Sequence, residues 1–224
     1  MNKKHFLVTD FLCGLCALCG KAFLLIFLSV ASAQAHDAAL ADQVAQQLRA
    51  LPVVRASFTQ SKNIAVLKRP VVSTGRFVFS REHGIAWELL QPLRITYLLQ
   101  AAGVTEIAAD GRVRRQSGRE AQGMYQVGKI LNALWSGQTT VLDPLFNTDM
   151  QGRLEQWSLK LSPKSAPLSD FLARVSVTGA GARIERVQVT EASGDVLTIV
   201  FQASAEPVSL SLTPQELQLF ATSP

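Results

Sequence analysis

Few residues in this chain are of types that carry covalent chemistry, and their spacing argues against most of it. Cys13, Cys16 and Cys19 form a C-x-x-C-x-x-C run of the kind that ligates metals or iron–sulfur clusters. A fourth thiolate is missing and the segment around them is apolar, so that reading fails. Each cysteine follows a leucine, where lipid-attachment signals take a small residue. Beyond residue 35 the histidines are His36 and His83. His83 sits beside Glu82 in a polar turn, where a lone histidine is more often a surface residue than a base. No G-x-S-x-G, H-E-x-x-H, Walker A or G-x-G-x-x-G pattern occurs. The carboxylates show no pairing suited to glycoside hydrolysis. The expectation is a protein that is not an enzyme and holds no metal or cofactor; a small hydrolase using His83 is the weakest alternative.

The residues that stand out instead are large, apolar and regularly spaced. In Thr74–Leu99 two short strands, Gly75–Ser80 and Ile85–Leu90, flank a polar turn, and a third follows the Gln91-Pro92 break. Alternation places Phe77, Phe79 and Arg81 on one side of the first strand and Ile85, Trp87 and Leu89 on one side of the second. A face rich in apolar groups that ends in one arginine suits a greasy surface with a polar latch. Such a surface suits binding of something greasy, although an apolar inner face is more often simply core.

Met1–Ala35 reads as a secretory signal peptide, with Lys3 and Lys4 before an apolar run and Ala33-Gln34-Ala35 as the cleavage site. An uncleaved anchor is the alternative, since Phe11–Ala35 is long enough to span a bilayer. Cleavage leaves residues 36–224 as a single domain without cysteine, stabilised by packing alone. Loss of Lys3, Lys4, Lys21 and Asp10 lowers the formal net charge from +5 to about +3. The basic residues are spread out except for Arg112–Arg115 and Arg119, so nucleic acid is not an expected partner. That cluster reads as a solvated hairpin end, or else as a docking patch for an acidic partner or anionic lipid.

The elements that must position the apolar face follow from periodicity. Leu40, Val44, Leu48 and Leu51 form one stripe of a helix over Asp37–Leu51, and Pro52 ends it. Strands are expected at Val53–Gln60, Val71–Ser80, Ile85–Leu90, Ile95–Leu99, Thr105–Ala109 and Arg112–Gln116, with Asp110-Gly111 as a hairpin turn. Val127, Ile130, Leu131, Leu134 and Trp135 then recur at helical spacing within Glu120–Trp135, and Gly137 stops the helix. Thr140–Phe146 has the look of a second short helix. Strands resume at Gln156–Leu161, Ala173–Thr178, Arg183–Glu191, Val196–Gln202 and Val208–Leu212, with a turn at Ser193-Gly194-Asp195. The tail from Thr213 has turn and helix character. A sheet of this size without crossover helices is antiparallel and must curl, and two helices are available to cover its concave side.

The chain from Val54 onward resembles the periplasmic lipoprotein carrier family LolA, and more closely its LolA-like relatives in lipid-export gene clusters. The resemblance runs through Val54-Arg55-Ala56-Ser57-Phe58-Thr59-Gln60, Gly75-Arg76-Phe77, Ser80-Arg81, Trp87, Gln91-Pro92 and Asp110-Gly111-Arg112. It continues through Trp157–Lys164 and the closing hairpin from Ile184 to Phe201. Each motif is weak alone; their order and spacing make the match specific.

This resemblance implies a mainly β, α+β fold: an incomplete antiparallel β-barrel whose concave apolar face is covered by lid helices. It implies a cavity for acyl chains, with Phe58, Phe77, Phe79, Ile85, Trp87 and Leu89 on the sheet side and Val127, Ile130, Leu131, Leu134 and Trp135 on the lid. It makes Arg81 the latch that hydrogen-bonds the lid helices. Where the family usually has proline after that arginine this chain has Glu82, which is placed to compete for the guanidinium. The loop Asn63–Val72 is more apolar than expected of the general carrier, and the C-terminal part is short. The implied function is a monomeric periplasmic shuttle that moves a lipoprotein, glycolipid or pigment lipid from an inner-membrane donor or exporter toward an outer-membrane acceptor. The alternative on the same scaffold is a periplasmic sensor or interaction module with a filled interior.

Overall fold

The computed structural model describes residues 38–203 and 210–222. The expected leader, its cysteines and its cleavage site lie outside these residues. A first helix, α1, is described over residues 38–49. The sheet that follows is built as a meander. Strands β1 (Val53–Asn63), β2 (Val71–Ser80), β3 (Gly84–Gln91), β4 (Ile95–Gln100), β5 (Gly103–Ala108) and β6 (Val113–Arg115) pair in succession. Helix α2 (Gly118–Trp135) and a 3₁₀ turn (Thr139–Leu142) then lead to β7 (Phe146–Arg153), β8 (Gln156–Pro163), β9 (Leu172–Ala180), β10 (Arg183–Glu191) and β11 (Val196–Ala203).

β11 pairs antiparallel with β1, which joins the two meanders into one eleven-stranded sheet whose edges are β6 and β7. The sheet is therefore antiparallel and unclosed, the mainly β arrangement expected. Its topology explains the long helix. The chain leaves the sheet at one edge, β6, and re-enters at the other, β7, so α2 must cross from edge to edge over one face.

Alternation decides which face that is. Phe58 on β1 lies opposite Phe201 on β11, and Phe77 on β2 opposite Trp87 on β3. With Leu161, Val175, Val177, Val187 and Ile199 from the second meander they form one buried cluster on the inner face. Leu40, Val44 and Leu48 of α1 join the same cluster. Gly75 is required here by close approach. A Cβ at this position would collide with the Phe58 ring and the Glu88 carbonyl.

The opposite, outer face carries a second and smaller cluster. Ala86 and Leu98 are buried there with Phe220, against partly buried Val78, Ile107, Leu212 and Leu219. Phe220 and Leu219 belong to α3 (Pro214–Phe220), so the tail has a place: it covers the back of β2–β4. Two expectations need correcting. Phe146–Arg153 is a strand that periodicity does not announce. Residues 210–212 of the expected strand Val208–Leu212 form a bend with no ladder partner, while residues 208 and 209 lie outside the described set. β1 already has a neighbour on both sides, so that segment has no edge to join there.

Candidate functional site

The sheet-side and lid-side residues singled out from the sequence meet in one cluster. Phe58, Phe77, Phe79, Ile85 and Trp87 are buried on the sheet, and Leu89 is partly buried against them. From α2, Ile130, Leu131, Leu134 and Trp135 are buried in the same cluster and Val127 is partly buried against it. The meeting is aromatic at its centre. Phe77 lies 4.5 Å from Trp135 and 5.7 Å from Trp87, centroid to centroid, and Phe58 lies 4.1 Å from Trp87. Phe201 completes the group, 5.4 Å from Phe77 and 5.2 Å from Trp135. Sequence reasoning places Phe201 in the closing hairpin but not in the site; its alternation with Ile199 carries that information. In this conformation the interior between sheet and helix is filled at this point by rings.

The helix approaches closely because Gly128 has no side chain. A Cβ there would strike Leu99 on β4. Ser117, the residue before α2, makes no side-chain capping bond, and the described part of the helix packs through its apolar stripe.

The far end of α2 is held differently. Arg81, in the turn between β2 and β3, donates from its guanidinium to the carbonyl oxygen of Arg49 at 2.6 Å and toward that of Leu51 at 3.4 Å. Its backbone N–H donates to the Pro52 carbonyl at 3.0 Å. These carbonyls close α1, where the last turn has no intrahelical donors and the helix dipole favours a cation. Arg49 in turn donates from Nη1 to the carbonyl oxygen of Gly137 at 2.8 Å, at the end of α2. Gly137 has φ +66°, and a Cβ on it would meet the Ala45 carbonyl and the Arg49 side chain.

These bonds form a relay of two arginines. Arg81 reaches α1, and Arg49, not Arg81, reaches α2. Sequence reasoning misses Arg49 because a charged residue in the last turn of a helix is ordinarily solvated. The competition expected from Glu82 does not occur in this conformation. Arg81 is spent on carbonyls, Glu82 is exposed, and among the described residues no ion pair joins the two.

The remaining polar candidates have local explanations. The Ser80 hydroxyl lies 3.2 Å from His83 Nδ1 and accepts from the His83 backbone N–H at 3.3 Å, which ties the turn; the imidazole lies beside the Phe220 ring. No carboxylate bonds that imidazole among the described residues. In the arginine cluster, Arg112 pairs with Asp110 at 2.7 Å and Arg114 with Glu106 at 2.9 Å. The Arg112 backbone N–H and guanidinium hold the Asp110 carboxyl below its usual range, and Glu106 pushes Arg114 up. Glu106 is buried and also accepts from the Gln116 side chain, so its charge is met on two sides.

An unclosed antiparallel sheet, covered on its apolar face by an edge-to-edge helix and fastened through exposed arginines, defines a lidded half-barrel. Residues 30–221 match the family model described as outer membrane lipoprotein carrier protein LolA-like. The chain belongs to this LolA-like family. Among curated proteins none matches. Solved structures similar to the chain include a DUF1329 family protein from Desulfovibrio piger, 10% identical over 74% of this chain and 91% of that one, TM-score 0.42. A LolA superfamily protein from Nitrosomonas europaea is 8% identical over 80% of this chain and 96% of that one, TM-score 0.44. The MucA/MucB complex of Pseudomonas aeruginosa contains a chain 13% identical over 76% of this one and 59% of its own length, TM-score 0.37.

Proposed function

We propose that this protein is a non-catalytic periplasmic carrier that takes the acyl chains of a lipoprotein, glycolipid or pigment lipid between the inner sheet face and α2. In this reading it receives its cargo from an inner-membrane donor and hands it on toward the outer membrane, as a monomer exported through residues 1–35. Membership of the LolA-like family supports it. The observation that carries it is a largely apolar contact between α2 and the inner sheet face, with few polar fastenings among the described residues: Arg49 to the Gly137 carbonyl at 2.8 Å and, more loosely, the Tyr125 hydroxyl to the Ala101 carbonyl at 3.5 Å.

The energetics favour such a device. Burial is worth about 0.8 kcal/mol per methylene, so a chain of about sixteen carbons costs roughly 12 kcal/mol to expose to water. Lifting α2 off Phe77, Trp87 and Phe201 exposes apolar surface, but an entering acyl chain covers it again. Ring-to-ring contact is exchanged for ring-to-acyl contact, a nearly neutral swap. What remains to be broken is the Arg81–Arg49–Gly137 relay, whose bonds are exposed or half-buried and so are readily replaced by water. Opening is then coupled to cargo entry, since cargo binds only the open state.

Titration of the delipidated protein with a fluorescent acyl probe tests the reading. Saturable uptake with one probe per chain is expected, and absence of saturable uptake overturns it. The ring-filled interior favours a second reading, a sensor or interaction module whose rim binds a protein. In that case the probe is refused, and Arg81→Leu changes affinity for a protein partner while lipid is never bound.

A further inference from the structure

Register divides the connections of the sheet between two ends. The β2–β3, β4–β5, β7–β8 and β9–β10 turns lie at the end where Arg81 holds α1. The β1–β2, β3–β4, β5–β6, β8–β9 and β10–β11 connections lie at the opposite end. Exposed apolar residues gather at this second end. Val66 is 89% exposed, Leu67 48%, Val71 46% and Val72 50% on the β1–β2 hairpin, and Leu93 is 68% exposed in the β3–β4 turn. β2 and β3 are neighbours with Thr74 opposite Gln91, so Leu93 and the hairpin belong to one rim.

The base of this hairpin is fixed while its tip projects. Lys62 pairs with Glu191 at 2.8 Å, and the Ala65 backbone N–H donates to Asp195 Oδ1 at 3.0 Å. The Leu67 N–H closes a turn on the Ile64 carbonyl at 2.9 Å. The acids of the central rim are thereby occupied: Glu191 by Lys62 and Asp195 by the backbone. Lys68, Arg69 and Arg94 are exposed, and among the described residues no ion pair engages them. The acids left over, Asp143 before β7 and Asp170 in the β8–β9 connection, sit on the far side of β11 and β10.

We infer that the β1–β2 hairpin tip, residues 64–72, is a docking element for an anionic lipid bilayer. Val66 and Leu67 enter the interfacial region of the lipids. Lys68, Arg69 and Arg94 meet the phosphates around them, which is the pairing of apolar insertion with basic flanks that holds proteins at such surfaces. A fixed hairpin base makes the insertion directional: the sheet meets the bilayer on this rim, with the arginine relay at the other end of the strands. The inference stands on exposure and charge at this rim and does not rest on acyl binding by the interior.

The test is co-sedimentation of the exported protein, purified from the periplasm, with vesicles of phosphatidylethanolamine and phosphatidylglycerol or of phosphatidylcholine alone. Binding to the anionic vesicles is expected, with affinity at least about tenfold lower for V66E/L67E, for K68E/R69E, and for the unaltered protein in about 0.5 M salt. These positions are exposed, so the melting temperature of both variants should stay within about 3 °C of the parent. Val66→Trp supplies a second readout: the emission it adds to that of the parent shifts to shorter wavelength on anionic vesicles. The inference is overturned if the unaltered protein ignores anionic vesicles, if neither charge nor apolar variants weaken binding, or if the emission added by Val66→Trp stays that of a solvated indole. Acyl-probe uptake in vesicle-free solution separates the two proposals. Uptake lost with vesicle binding intact removes the carrier reading alone, and the reverse removes only this one.

Discussion

The two described helices after β6 are fastened to opposite faces of the same sheet by opposite means. α3 is only seven residues long, yet it is pinned at both ends. Thr213 and Glu216 form a reciprocal capping box, Pro214 begins the helix, and Gln100 donates to the Phe220 carbonyl at 3.1 Å. Arg55, from the outer face of β1, grips both oxygens of Glu216 at 2.7 and 2.6 Å and also donates to the Ser211 carbonyl. α2 has eighteen residues and no side-chain cap at its start. Among the described residues it rests on apolar contact, on one arginine bond near its end and on a long bond from the Tyr125 hydroxyl to the Ala101 carbonyl. The short helix is locked by directed bonds that lose geometry if it shifts; the long one is held by surface burial, which tolerates sliding and replacement by another apolar body. The proposed carrier, whose sheet stays in place while its cover opens, calls for this asymmetry.

Substitutions should expose the same difference. The largest effect is expected from Phe77→Ala, because this ring is fully buried and contacts Trp87, Trp135 and Phe201. A loss of about 3–5 kcal/mol is expected in denaturant unfolding. A loss below about 1 kcal/mol would mean that the inner face is loosely filled.

A smaller effect, on the other face, is expected to depend on pH. The Arg55 guanidinium, helped by the Thr213 N–H, holds the Glu216 carboxyl below its ordinary value of 4.5 against the opposing pull of burial. A carboxyl depressed in the folded state contributes stability above its unfolded pKa and loses it as pH falls through the folded value. The parent should therefore lose more stability than Glu216→Gln as the pH falls below the carboxyl's ordinary value of 4.5. Parallel melting curves for the two over that range would show that the α3 clamp carries no charge-linked energy.

The smallest thermodynamic effect is expected at the relay. Arg49→Ala and Arg81→Leu should each cost about 1 kcal/mol or less, since their bonds are exposed or half-buried. Their signature is in binding: with the closed state weakened, uptake of an acyl probe should tighten in both and fail to tighten further in the double variant, because the two act in series. Additive effects would mean two independent contacts.

Much of this arrangement is legible from residue order. The α2 stripe from Val127 to Trp135, the stop at Gly137 and the hairpins at Asp110-Gly111 and Ser193-Gly194-Asp195 all obey local rules, and local rules are what periodicity reads. β7 escapes because it is an edge strand. Phe146 and Met150 are its buried residues; four apart, they share a face in a strand or a helix alike, and exposed Thr148 between them interrupts the alternation. The place of α3 escapes for another reason. The tail from Thr213 reads as turn and helix, but only the pairing of Arg55 with Glu216 across most of the chain tells which face receives it. Arg49 is hidden by its type, since nothing local separates a solvated arginine from one whose partner lies 88 residues away. The Phe58–Trp87 patch is legible as a face, and whether that face holds side chains or lipid depends on where α2 rests.

Native mass spectrometry of the protein purified from its own periplasm, with organic extraction of whatever is bound, tests the carrier reading most directly. The account predicts a population heavier than the mature chain by one acylated molecule, which extraction releases and identifies. A protein that is uniformly empty as isolated, and that stays empty after incubation with acyl lipids, would contradict it and leave a ring-filled scaffold whose work is done at its rim.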